Sequence, residues 1–162
     1  RVDAAFISSI KAKNHSHINL GIIAKKEVLS VLTIPHTNNT TDKESATSNI
    51  LAQILKVNGK VLIGDKALKY YLQNSNYTDL AQLWHEKYKL PFVFALLCYH
   101  KDKQLYKRIE KNFLKHNIKI PQYILKKASK RTDIETKEIL NYLKYISYKL
   151  DTKAKLGLKT FL

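Results

Sequence analysis

Several things are scarce in this 162-residue sequence, and each scarcity closes a class of function. There is one cysteine, Cys98. No disulfide can form within the chain, which fits a reducing compartment and a cytoplasmic location. There is no methionine: the sequence starts at Arg1 and enters an apolar segment, Val2 to Ile10, at once. We read this as a missing beginning, and no signal peptide is visible. No apolar run approaches the roughly 20 residues that span a bilayer, so no membrane partner is expected. No Cys/His cluster has zinc spacing, and His15 and His17, two apart in a polar loop, read as surface rather than as metal ligands. Only three of the 29 basic residues are Arg (Arg1, Arg108, Arg131), whereas Arg is the usual choice for bidentate recognition of bases and phosphates. No nucleic-acid partner is expected. Gly-x-Ser-x-Gly, the P-loop, Gly-x-Gly-x-x-Gly and paired carboxylates at helical spacing are all missing.

Lysine is plentiful. Net charge is +16, unevenly spread: residues 1–100 hold 12 basic and 7 acidic side chains, and residues 101–162 hold 17 and 6. Such a surface attracts anions of many kinds and also simply keeps a protein in solution. The solvated, lysine-rich face is the plainer reading.

Periodicity gives an α/β pattern followed by helices. Val2–Ile10 reads as a buried strand ending at Ser8-Ser9, and Lys11–Asn19 as a loop. Leu20–Ala24 and Val28–Ile34 are β-rich runs split by Lys25-Lys26-Glu27. A helix is expected from Asp42 or Ser45 to Lys56, with Thr41 and Glu44 at capping-box spacing and Asn58-Gly59 as its stop. Lys60–Ile63 is a short strand. Gly64-Asp65 then turns into a helix that Asp65 would cap. Asp79 or Thr78 caps a helix through Tyr88, and Phe92–Tyr99 is another strand. Beyond Asp102 the spacing is helical: Leu105, Ile109 and Phe113, a short helix after Ile120-Pro121, a capping box Thr132-x-x-Glu135, then a stripe of Ile139, Leu143, Ile146 and Leu150.

Three segments carry candidate chemistry. Ser8 and Ser9 end an apolar strand, at the edge where open α/β sheets bind ligands, or they only close a turn. Ser45, Thr47 and Ser48 sit at a helix start, where free N–H groups and partial positive charge suit a carboxylate or phosphate. One of them could instead be a simple cap. Gly64-Asp65 follows a strand and would bring backbone near a ligand, or merely start a helix. Trp84 fits the core and the site equally well.

Taken in order, these segments resemble the chorismate dehydratase family of the futalosine route to menaquinone. The matching stretches are Asp3–Ile10, Gly21–Ala24 through Val28–Leu32, Ser45–Ser48, Leu62–Leu68, Asp79-Leu80 with Trp84, and Leu90–Ala95. They run from residue 1 to about 99, and the helical tail matches only in character. The resemblance implies a type II periplasmic-binding-protein-like fold of two α/β lobes with a helical C-terminal region. One lobe would hold residues 1–30 and 95–162, the other 31–94. It implies a cytoplasmic hydro-lyase that needs no cofactor and removes water from dianionic chorismate. Ser30 matches a position beside the reacting ring and is the candidate catalytic residue. Ser8, Ser9, Ser45, Thr47, Ser48 and Asp65 become candidates for binding substrate. The family's first strand and helix, with a Tyr-Leu-Asn-like motif whose Asn the resemblance makes catalytic, have no counterpart here. Ala46 stands where the family often has Arg, and Lys11 where it often has Glu. A sister enzyme of the same pathway and a non-catalytic small-anion binder are the alternatives.

Overall fold

The computed structural model describes residues 2–41 and 43–162. In chain order the elements are β1 (Ala4–Ser8), α1 (Ser9–Ala12), β2 (His17–Ala24), β3 (Val31–Ile34), α2 (Ala46–Leu55), β4 (Lys60–Ile63), α3 (Gly64–Gln73), β5 (Thr78–Asp79), α4 (Leu80–Tyr88) and β6 (Phe92–Tyr99). Then follow α5 (Lys103–Lys115), α6 (Gln122–Thr132), α7 (Thr136–Leu143), β7 (Ile146–Lys149) and α8 (Thr152–Phe161). The strands form two antiparallel sheets, one of order β1-β6-β2-β7 and one of order β4-β3-β5. The chain leaves the first sheet after β2, builds the second, and returns through Pro91 into β6.

A shared core lies where the two sheets approach. Leu51 of α2, Trp84 of α4, Phe92 of β6 and Phe161 of α8 are all buried in one cluster. The rings meet edge to face: Trp84 and Phe92 centroids are 5.2 Å apart, and Phe92 and Phe161 4.8 Å. Aromatic pairs prefer this geometry because ring edges are positive and faces negative. Trp84 is therefore a core residue. Cys98 is also buried, and burial pushes its thiol up, leaving a poor nucleophile.

Several local expectations give way to tertiary contacts. A short helix, α1, starts at Ser9 in the expected strand end and runs into the expected loop, and β2 begins at His17, ahead of that loop's expected end. The run Val28–Ile34 is not one strand, because Leu29 has φ 63° and β3 begins only at Val31. The start of α2 is capped by Ser45, whose Oγ accepts from Ser48 N, rather than by a Thr41/Glu44 box; the alternative start at Asp42 lies outside the described residues. This helix ends at Lys56 in a left-handed conformation, ahead of Asn58-Gly59. Asp65 sits within the first turn of α3 rather than at its cap. Thr132 closes α6 by donating to Ala128 O, so the second capping box does not form. The stripe from Ile139 to Leu150 is cut: Ile146 enters β7, which gives β2 its second partner. Leu105 and Ile109 of α5 remain well exposed.

Candidate active site

The second sheet sets the geometry. Val31 pairs with Ile63, so the start of β3 and the end of β4 lie at one end. The amide of Gly64 donates to Ser30 O at 2.8 Å, tying the start of α3 to the residue before β3. Four residues join α2 to β4, which holds the C-terminus of α2 at the opposite end, beside Lys60 and Ile34. Ten helical residues rise about 15 Å, enough to bring the start of α2 back toward Ser30. Lys66 Nζ of α3 lies 4.0 Å from Glu44 Oε2, just ahead of α2. From the first sheet, α1 packs toward α2, with Ile10 against the cluster containing Leu51. Ser30 is thus tied to Gly64, and the start of α3 lies near the residues ahead of α2; Ser8 and Ser9 belong to the other sheet, at the end of β1 and the start of α1.

The hydroxyls differ in what remains free. Ser45 Oγ accepts from Ser48 N at 3.1 Å and donates to Ser48 Oγ at 2.8 Å. Ser9, fully buried, donates to Val93 O and so fastens α1 to β6. Thr47 Oγ1 is buried and has no hydrogen-bond partner among the described residues, and the same holds for Ser8 Oγ. A buried hydroxyl without a partner costs free energy, so such groups call for an explanation. The first N–H groups of α2 also lack intrahelical partners, as at any helix start.

Ser30 is buried and strongly fixed. Its Oγ lies 2.9 Å from Tyr142 Oη of α7. The neighbouring turn is pinned by Asp79, whose Oδ2 accepts from Val28 N at 2.9 Å and Leu29 N at 2.7 Å. Its Oδ1 accepts from Ala81 N at 2.9 Å and Gln82 N at 3.1 Å, capping α4. Burial pushes the Asp79 carboxyl up, and the four backbone donors offset this only in part, so it stays above its ordinary value. Burial likewise raises the Tyr142 phenol, with Tyr148 and Asp65 adding to the effect and the bond to Ser30 opposing it. Tyr142 lines a cavity of about 340 Å³ together with Leu29, Leu68, Tyr71, Asn141 and Lys144.

The sequence offered serines, a threonine and the capping role of Asp79. It carried no signal for Tyr142, nor for the second pair of bonds made by Asp79. Among the described residues no helix is long and apolar enough to cross a membrane, and no three His, Cys, Asp or Glu side chains gather as metal ligands would.

Comparison with known proteins gives the chemical context. The chorismate dehydratase of Campylobacter jejuni is 52% identical over 99% of this chain and 74% of its own length. A crystal structure of an Archaeoglobus fulgidus protein aligns with a TM-score of 0.51 at 15% identity, covering 99% of this chain and 77% of that one, which establishes a related mixed α/β fold. The family model described as menaquinone biosynthesis matches residues 28–162. It takes in β3 to α8, and with them Ser30, Thr47, Asp79 and Tyr142. The chain belongs to the menaquinone biosynthesis family.

Proposed function

We propose that the protein is a chorismate dehydratase, a hydro-lyase of menaquinone biosynthesis that converts chorismate to 3-[(1-carboxyvinyl)oxy]benzoate. The observation that carries this reading is the 52% identity to the Campylobacter jejuni enzyme across 99% of the chain. The reaction removes the C3 proton and the C4 hydroxyl. The C3–H electron pair becomes the new ring π bond, the C4–O pair leaves on oxygen, and proton and hydroxide make up the water. The ring becomes aromatic, which supplies the driving force, so the chemistry calls for no metal or redox cofactor. The protein must hold a dianion, orient the C3–H bond toward a base and assist departure of the hydroxyl.

On this reading the start of α2 takes one carboxylate, through its free N–H groups and the hydroxyls of Thr47 and Ser48. Ser8 contributes a further donor, Ser45 and Ser9 hold the frame, and Asp65 accepts from a substrate hydroxyl. Ser30 lies beside the reacting ring. A neutral serine is a poor base, so its task is hydrogen bonding to the departing oxygen, and a substrate carboxylate is a candidate proton acceptor. The unpartnered Oγ1 of Thr47 and Oγ of Ser8 support this assignment.

We further infer a two-lobed, periplasmic-binding-protein-like arrangement, with residues 1–30 and 95–162 in one lobe and 31–94 in the other. The second sheet lies wholly within 31–94, and the first lies outside it apart from the opening residues of β6. The lysine-rich surface is read as solvated. The test is direct: protein expressed from its complete reading frame is incubated with chorismate, and the benzoate product is followed by chromatography. A folded protein that leaves chorismate unconverted overturns the reading.

A further inference from the structure

A serine hydroxyl has one hydrogen to donate and two lone pairs to accept with. Ser30 Oγ meets a single protein partner among the described residues, Tyr142 Oη, 112 positions away in sequence and 2.9 Å away in space. The backbone of Ser30 is held on both sides, by Gly64 N on its carbonyl and by the Asp79 bonds to Val28 N and Leu29 N. What is left to be set is the side chain, whose oxygen meets Tyr142. The ring of Tyr142 packs against the buried cluster of Leu29, Leu68 and Ile134, so its oxygen is held in place too.

Both oxygens carry a hydrogen, and acidity favours Tyr142 as the donor. A phenol is a much stronger acid than an alcohol and so the better donor. A tyrosine keeps its proton through the neutral range, and burial raises this phenol further. With Tyr142 donating, one lone pair of Ser30 is occupied and its own hydrogen is turned away from Tyr142. A hydroxyl that accepts one hydrogen bond also donates more strongly to the next group in the chain.

We propose that Tyr142 is a positioning residue for the dehydration. By donating to Ser30 Oγ it aims the Ser30 hydrogen at the departing C4 oxygen and strengthens that donor while negative charge builds on the oxygen. No proton is transferred from either side chain: the C3 proton and the C4 hydroxyl still account for the water. This rests on the chorismate dehydratase reading and adds to it a residue from α7, outside the hydroxyl-bearing segments.

The test is a double-mutant cycle of Tyr142→Phe and Ser30→Ala, with chorismate turnover as the readout. Tyr142→Phe removes one oxygen and leaves the ring seated, and its thermal midpoint and circular dichroism verify the fold. The expected result is a kcat lowered about 3- to 10-fold with KM within about 2-fold, the scale of one neutral hydrogen bond felt mainly in the transition state. In the Ser30→Ala background the same substitution should change kcat by less than about 1.5-fold, because the relay is already cut. A role in packing alone would instead give the same loss in both backgrounds, along with a lower thermal midpoint. Unchanged kcat in Tyr142→Phe, or an equal loss with and without Ser30, overturns the proposal. Wild-type protein that forms no product overturns the dehydratase reading itself, and this inference with it.

Discussion

Replacing Asp79 by Asn should destabilise the protein by about 2–4 kcal/mol, and the structure supplies the arithmetic. The carboxylate is 4% exposed and accepts four backbone N–H groups, two on each oxygen. Asn keeps the shape and one acceptor, but its NH₂ must face two N–H donors whichever way the amide turns. If the NH₂ faces Ala81 and Gln82, the cap of α4 is lost, at about 1 kcal/mol, and donors are pressed against donors. If it faces Val28 and Leu29, two buried amides lose their partner at about 1–3 kcal/mol each. The left-handed Leu29 (φ 63°) then also loses its restraint. The amide will take the first orientation, and the loss of negative charge at a helix start adds to the cost. Urea unfolding at neutral pH measures it. With a slope near 2 kcal/mol per molar, the midpoint should fall by about 1–2 M, and Asp79→Ala, which frees all four donors, should fall further. A midpoint for Asp79→Asn within about 0.3 M of wild type would refute the claim that this carboxylate organises both segments.

Other outcomes follow from single contacts. A methyl group on Gly157 of α8 would stand 2.1 Å from Pro91 O. Gly157→Ala should therefore lift α8 from the return into β6 and cost about 1–3 kcal/mol, seen as a lower Tm. Thr47→Val removes a hydroxyl that has no partner among the described residues. The free protein should keep its stability or gain slightly, while chorismate binding measured by calorimetry weakens by about 1–3 kcal/mol, the scale of a hydrogen bond to a charged group; unchanged affinity removes Thr47 from the site. The phenol of Tyr142 is raised in the folded state, so the unfolded chain releases that proton first, from about pH 10. Stability should fall as pH rises from there toward the folded value, and a urea midpoint followed against pH should decline less steeply in Tyr142→Phe.

What the sequence makes legible divides along physical lines. Strands with strong local signals, such as Lys60–Ile63 and Phe92–Tyr99, were legible, as was the cap at Asp79. Elements that depend on distant partners were not. Ile146–Lys149 keeps helical spacing with Ile139, yet becomes a strand because β2 offers it an edge along Leu20–Ala24. Leu29 is among the residue types least disposed to positive φ, so nothing in the run Val28–Ile34 announces a break. The break is imposed by a carboxylate 50 residues away. At the site, the side chains were recognisable by type, because hydroxyls at a helix start have a chemistry of their own. Tyr142 was invisible because its role rests on one contact spanning most of the chain.

The way the hydroxyls are used bears on how a small anion would be held. Among the candidates, some have spent their proton inside the protein: Ser9 on Val93 O and Ser45 on Ser48 Oγ. These hold α1 against β6 and set the first turn of α2. Others have a proton and no internal acceptor, as with Thr47 and Ser8. Ser30 joins this second group once Tyr142 is taken as its donor. The split is the one a binding site needs, since a donor already committed to a carbonyl offers nothing to a ligand, while an uncommitted buried donor costs stability until a ligand or water meets it. On the proposed reading, the carboxylate is held without arginine. Ala46 occupies the first turn of α2, so on that reading the local attraction would come from neutral donors and the helix end. A net charge of +16 would add long-range attraction for an anion. For the proposed dehydration, neutral donors would hold chorismate and its aromatic product, both dianions, less firmly than a guanidinium would, which favours product release.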